Sequence, residues 1–98
     1  KEQQEIKLGN ETLKALFTPG HSPGSLSFYS ETNAFLIAGD ALFYQSIGRT
    51  DLPGGSHPTL IRSIRTQLLT LPEETEVYSG HGPSSTIGHE KSYNPFLV

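Results

Sequence analysis

The chain has 98 residues, 34% apolar and 17% charged, with 10 glycines, 7 prolines, no cysteine and a formal charge of -3. A chain this short holds one small domain with a limited core, and mild acidity without any Lys/Arg cluster leaves no electrostatic footprint for nucleic acid or an anionic membrane. Without cysteine there is no disulfide framework, no thiolate metal site and no thiol nucleophile, so metal chemistry rests on His and carboxylate groups.

The opening stretch KEQQEIKLGNE is polar rather than signal-like, and no run of about 18 apolar residues occurs, which leads us to expect a soluble, cytoplasmic protein. Leu13 to Thr18 alternates as a strand and stops at the turn dipeptide Pro19-Gly20, so His21 falls at a strand exit. Leu26 to Tyr29 and Phe35 to Ala38 read as two further strands, joined by the hairpin-like Ser30-Glu31-Thr32-Asn33; the second delivers Gly39-Asp40 at its end. From Ala41 to Ser56 periodicity disappears into GRTDLPGGS, and we expect a long irregular loop.

Pro58 to Leu71 places Leu60, Ile61, Ile64, Leu68, Leu69 and Leu71 at the spacing of one helical face, with Pro58 suited to the first turn and Pro72 beyond the end. Glu76 to Ser79 is a short strand, and Gly80-His81-Gly82-Pro83 is a tight turn that puts His81 past its end. Thr86 to Tyr93 reads as a last short helix with Thr86 as N-cap, closed by Asn94-Pro95.

His21, Asp40 and His81 thus all follow strands. Ligands on loops at the ends of neighbouring strands make a physically sound metal site, because the sheet fixes the loop bases while the loops stay open to substrate. Imidazole and carboxylate suit Zn²⁺ or Fe²⁺, and one carboxylate can bridge two cations through its two oxygens, a role natural to Asp40. Taken singly, each of these residues is ordinarily a surface, hydrogen-bonding or turn residue, and only their shared context reverses that expectation. His57, beside the helix start, and His89, on the last helix, read as structural or exposed.

TPGHSPGSLSFY, LIAGDALF, IGRTDLPGG and SGHGPSSTIGHEKSYNPFL, in this order, resemble the C-terminal half of the metallo-β-lactamase-fold hydrolases, glyoxalase II-like branch, over nearly the entire chain. The resemblance implies an α+β or α/β fold: residues 1–98 as a single domain that is one half of an αβ/βα sandwich, with one mostly antiparallel sheet, one long helix and one short one. It makes His21 a histidine ligand of the first metal, Asp40 the bridging and catalytic carboxylate, and His81 a ligand of the second. Arg49 and Asp51 of GRTD are expected near the site, and Tyr44 to line a substrate pocket.

The HxHxDH motif of the family's N-terminal half has no match among the histidines at 21, 57, 81 and 89. The expectation is therefore half of a catalytic apparatus: a truncated or processed chain, inactive alone, that forms a homodimer or pairs with the missing N-terminal half. In the complete enzyme the resemblance implies two Zn²⁺ ions, with iron or manganese as substitutes. A metal-bound hydroxide would attack a thioester or related ester, since a divalent metal lowers the pKa of bound water from about 15.7 to about 7. Lactamases of this fold that place Cys where Asp40 stands fit less well. The alternatives are a persulfide dioxygenase of the same fold, with one iron held by two His and one Asp, and a non-catalytic assembly module. SGHGP favours the two-metal hydrolase over the dioxygenases, which resemble AHDY at that place.

Overall fold

In the computed structural model, residues 4–8, 11–22, 24–80 and 82–97 are described, with positions 4, 6–8 and 11 described by their backbone alone. The strands β1 (Gln4–Leu8), β2 (Glu11–Phe17), β3 (Leu26–Ser30) and β4 (Phe35–Gly39) are followed by the two-residue strands β5 (Leu42–Phe43) and β6 (Ser46–Ile47). Helix α1 (His57–Ser63) comes next and runs directly into a π-helical turn over Ile64–Leu68; then come β7 (Glu76–Ser79), β8 (Ser85–Thr86) and helix α2 (Ile87–Tyr93).

Six strands form one sheet in the order β1-β2-β3-β4-β7-β8, and β5 and β6 form a separate hairpin. All the pairings in the large sheet are antiparallel except β4 with β7. A parallel pair needs a crossover, and α1 with its π-helical turn supplies it. One topological consequence governs the site. β2 and β4 both run antiparallel to β3, and β7 runs parallel to β4, so the chain leaves β2, β4 and β7 at the same edge of the sheet.

One sheet face carries Leu16, Tyr29, Leu36 and Val77 toward the helices, where they meet Leu42, Leu60, Ile64, Leu68 and Ile87 in the main apolar cluster. The helix places Leu60, Ile64 and Leu68 at four-residue intervals, and all three are fully buried. Ser56 caps it, its Oγ accepting from Thr59 N at 3.3 Å, with Pro58 in the first turn as expected. The other sheet face is also apolar. Phe28, Ile37 and Tyr78 lie side by side across three strands, and Phe17, Leu26, Ile37 and Tyr78 are each between 37% and 43% exposed. Strands apolar on both sides are those of sheets covered on both faces.

The mostly antiparallel sheet with two helices is the α+β arrangement expected. Four local readings need correction. The stretch 41–56 is not wholly irregular, because Leu42 and Ile47, buried in the core, pair across a hairpin. The long helix ends at Leu68 rather than Leu71, after Leu69 N donates to Ile64 O at 2.9 Å in a widened turn and Leu71 N bonds back to Leu68 O at 3.1 Å. β1 lies at the sheet's edge and adds a strand where none was expected, although Ile6 and Leu8 alternate there with Glu5 and Lys7. β8 is two residues long, below what periodicity can reveal. The last helix is as expected, with Thr86 Oγ1 accepting from His89 N at 3.1 Å.

Candidate metal centre

Beyond β2 the chain turns through Thr18-Pro19-Gly20 against the start of α1. Thr18 is fully buried; its N donates to Ser25 O at 2.9 Å, and its Oγ1 lies 3.0 Å from Ser27 Oγ. Ser63 Oγ donates to Pro19 O at 2.8 Å, and Ser56 N donates to Gly20 O at 2.7 Å. Gly20, at φ 133°, allows that contact, since a Cβ there would lie 2.3 Å from Leu60 Cα. The helix thus seats the turn that presents His21.

Asp40 leaves β4 through an irregularity in its pairing with β7, where Ile37 faces Tyr78 but Gly39 faces Ser79. Such bulges re-aim the side chains that follow them. Gly80 N donates to Gly39 O at 2.9 Å, and a Cβ on Gly80 would lie 3.4 Å from Asp40 Oδ1. The return strand of the small hairpin closes the other side: Gly48 N donates to Ala41 O at 3.1 Å, and a Cβ at residue 48 would fall 1.9 Å from Asp40 O. Glycine is required at 48 by this close approach.

His21 and Asp40 face each other, with Nε2 3.7 Å from Oδ2 and side chains 25% and 50% exposed. The other ring nitrogen, Nδ1, lies 2.9 Å from Arg49 O. A carbonyl can only accept, so in this contact Nδ1 carries the hydrogen, and it is Nε2 that offers a lone pair toward the carboxylate whenever the ring holds a single hydrogen. Two acceptors at this separation make no hydrogen bond with each other. A cation can join them: with Zn–N near 2.0–2.1 Å and Zn–O near 2.0–2.2 Å, two ligands can stand up to about 4.3 Å apart. A ring nitrogen held by a backbone carbonyl is also the usual support of a metal-binding histidine. The donor pair therefore fits a metal ion, but two side chains do not complete its coordination, and no group of three or more His, Cys, Asp or Glu comes together among the described residues.

Of the other expected site residues, His81 lies outside the described residues. Arg49 reaches the pair through its backbone carbonyl, while its guanidinium grips Asp51, with Nε 2.8 Å from Oδ1 and Nη2 3.0 Å from Oδ2. That hydrogen-bonded ion pair raises the pKa of Arg49 and lowers that of Asp51. Tyr44 lines neither of two pockets that adjoin the pair, one of them bounded by His21, Asp40, Phe43, Ser46, Ile47 and Arg49 and the other by His21, Asp40 and residues of the β2–β3 connection and the end of β4. Its ring instead stacks on His89, with centroids 5.2 Å apart, because the hairpin turn directs it toward α2. His57 opens α1, in keeping with its structural reading.

Sequence reasoning missed two residues behind the hairpin. Glu90 and Asn94 are fully buried and hydrogen-bonded to each other, Asn94 Nδ2 donating to Glu90 Oε1 at 2.8 Å. The available signal was their spacing from Ile87, three and seven residues on, which puts Glu90 on the buried face of α2 and Asn94 at its C-cap beyond that face.

Comparison with known proteins bears on this geometry. The family model described as the metallo-beta-lactamase superfamily matches residues 1–81. The chain is 54% identical over 93 residues to the probable metallo-hydrolase YqgX of Bacillus subtilis, covering 95% of this chain and 44% of that protein. It is 45% identical over 96 residues to the hydroxyacylglutathione hydrolase GloC of Haemophilus influenzae, covering 98% and 45%. The chain thus spans less than half the length of these curated relatives. Among solved structures it resembles the BLEG-1 B3 metallo-beta-lactamase (TM-score 0.94, 52% identity, 100% of this chain and 47% of that one). It also resembles ETHE1 from Myxococcus xanthus (0.92, 35%, 99% and 44%) and TTHA1623 in a di-iron-bound form (0.88, 44%, 99% and 46%).

Proposed function

The chain belongs to the metallo-beta-lactamase superfamily, and on that premise we propose that it supplies His21, Asp40 and His81 to the two-metal site of a hydrolase that cleaves a thioester or related ester. The observation that carries this reading is the arrangement of His21, whose Nδ1 is held by Arg49 O while Nε2 faces Asp40 Oδ2 at 3.7 Å. The likeness to GloC supports the thioester class. We propose that the remaining ligands lie in the part of the relatives' length that this chain does not span, and that the exposed sheet face of Ile37 and Tyr78 packs against that part.

The metal, zinc in our reading with iron or manganese as substitutes, would be held by these side chains and would make a water molecule acidic enough to act as nucleophile near neutral pH. The protein's own part is positional. Asp40 has two oxygens with which to bridge; His21 offers one lone pair in a fixed direction; Phe43 and Ile47 give the adjoining pocket an apolar wall against which a substrate can be oriented. We place the protein in the cytoplasm, and no described helix is long and apolar enough to cross a membrane.

The test uses the full-length protein: metal content by elemental analysis, and thiol release from S-lactoylglutathione, for wild type and Asp40→Asn. About two metal ions per chain, with both metal and thiol release lost in the variant, is the expected result; full metal content in Asp40→Asn overturns the assignment. A persulfide dioxygenase with one iron is the second reading, supported by the likeness to the ETHE1 structure. Oxygen uptake with glutathione persulfide, in place of thioester cleavage, would establish it.

A further inference from the structure

The turn of the small hairpin is held from behind by α2. Gln45, at φ 55°, donates its backbone N–H to Glu90 Oε1 at 2.9 Å, and Asn94 Nδ2 donates to Ser46 O at 3.0 Å. The Glu90 carboxylate also accepts from Asn94 Nδ2 at 2.8 Å and from Ser85 Oγ at 2.5 Å. Glu90 and Asn94 are fully buried, as is Leu42 at the base of the hairpin. A carboxylate withdrawn from water and given three donors is expensive to place and, once satisfied, holds its partners in one geometry.

Beyond that turn, β6 ends at Ile47 and the chain passes Gly48, tight against Asp40 O, to Arg49, whose carbonyl receives His21 Nδ1 at 2.9 Å. A continuous path of hydrogen bonds and close backbone contact therefore joins the buried pair on α2 to the ring of His21. We propose that Glu90 and Asn94 are positioning residues for the metal centre: by fixing the 44–46 turn they hold Arg49 O where it keeps His21 in the tautomer with hydrogen on Nδ1 and the lone pair on Nε2. This deepens the metal-centre reading, but its main readout is taken in chelator-treated protein and stands or falls without metal.

The measurement is the imidazole ¹⁵N shifts of His21 by long-range ¹H–¹⁵N correlation on the full-length protein, at a pH where the ring is neutral. Wild type is expected to show protonated Nδ1 and unprotonated Nε2. Glu90→Leu, which has no acceptor for Gln45 N or Asn94 Nδ2, is expected to populate the Nε2–H form substantially and to weaken Zn²⁺ binding about tenfold, as loss of an outer support typically does. Ile87→Val, on the same helix with no polar contact to the turn, should leave the shifts unmoved. An unchanged tautomer in Glu90→Leu, or an equal change in Ile87→Val, overturns the proposal. Should Glu90→Leu fail to fold, Asn94→Ala removes the donor to Ser46 O, and an unchanged tautomer there overturns it equally. A shifted tautomer with unchanged zinc affinity supports the positioning role and refutes His21 as ligand.

Discussion

Replacing Gly48 by alanine should damage the site and the fold together. A Cβ at residue 48 would lie 1.9 Å from Asp40 O, 3.1 Å from Asp40 C and 3.3 Å from His21 Nδ1. The obstacle at 1.9 Å is backbone, which cannot rotate aside as a side chain can, so the hairpin must move by more than about 1 Å to restore ordinary van der Waals spacing. That shift pulls on two hydrogen bonds, Gly48 N to Ala41 O at 3.1 Å and His21 Nδ1 to Arg49 O at 2.9 Å. Overpacking of this kind costs about 1–3 kcal/mol, and each weakened hydrogen bond adds up to about 1 kcal/mol. A total loss of about 1–5 kcal/mol is therefore expected. Urea unfolding of the full-length protein measures it as a lower midpoint at unchanged slope. Gly24→Ala is the matched control, since no atom lies within 4 Å of a Cβ there, and it should stay within about 0.5 kcal/mol of wild type. A Gly48→Ala loss no larger than that of Gly24→Ala would refute the reasoning that close approach, rather than general loop tolerance, dictates glycine at this position.

Ile64→Ala removes a fully buried side chain where α1 passes into its widened turn, and should lower stability by about 2–5 kcal/mol in the same urea assay. Asp51→Asn should show a small, pH-dependent effect. The Arg49 guanidinium lowers the Asp51 pKa in the fold, so the pair's contribution is present above the unfolded-state value of about 3.9 and disappears as pH falls through the lower folded-state value. Thermal melts of wild type and variant should therefore differ at pH 6 and converge in strong acid; a difference that grows as pH falls would contradict the pairing.

The placement of His21 and Asp40 in the candidate site was legible because strand ends and turn residues are local signals. Thr18-Pro19-Gly20 and Gly39-Asp40 announce chain reversals directly after apolar runs, and His21 and Asp40 stand where those reversals put them. The helix from Pro58 was legible from the four-residue spacing of Leu60, Ile64 and Leu68. The π-helical turn was not, since the bond of Leu69 N to Ile64 O, one residue wider than an α-helical bond, leaves no mark on the side-chain spacing. Nor was the hairpin over Leu42 to Ile47: two-residue strands have too few residues to alternate, and Gln45 at φ 55° carries no glycine or asparagine signal. Tyr44 shows the same limit. Its neighbour Phe43 is equally aromatic, and only the direction of the hairpin decides which ring faces the pocket and which stacks on His89.

The residue types by themselves narrowed the chemistry open to this chain, because without cysteine there is no thiolate ligand and imidazole and carboxylate are its strongest metal-binding side chains, and the order of its motifs pointed to the family. The tertiary structure decided which atoms meet. Parallel alignment of β2, β4 and β7 brings distant loops to one edge. The approach of Gly48 to Asp40 sets the floor of the site, and the carbonyl of Arg49, a group common to every residue and invisible as a motif, chooses which nitrogen of His21 is free. Composition and periodicity report side chains one at a time, whereas the orientation of His21 depends on a backbone atom brought to it across 28 residues of sequence.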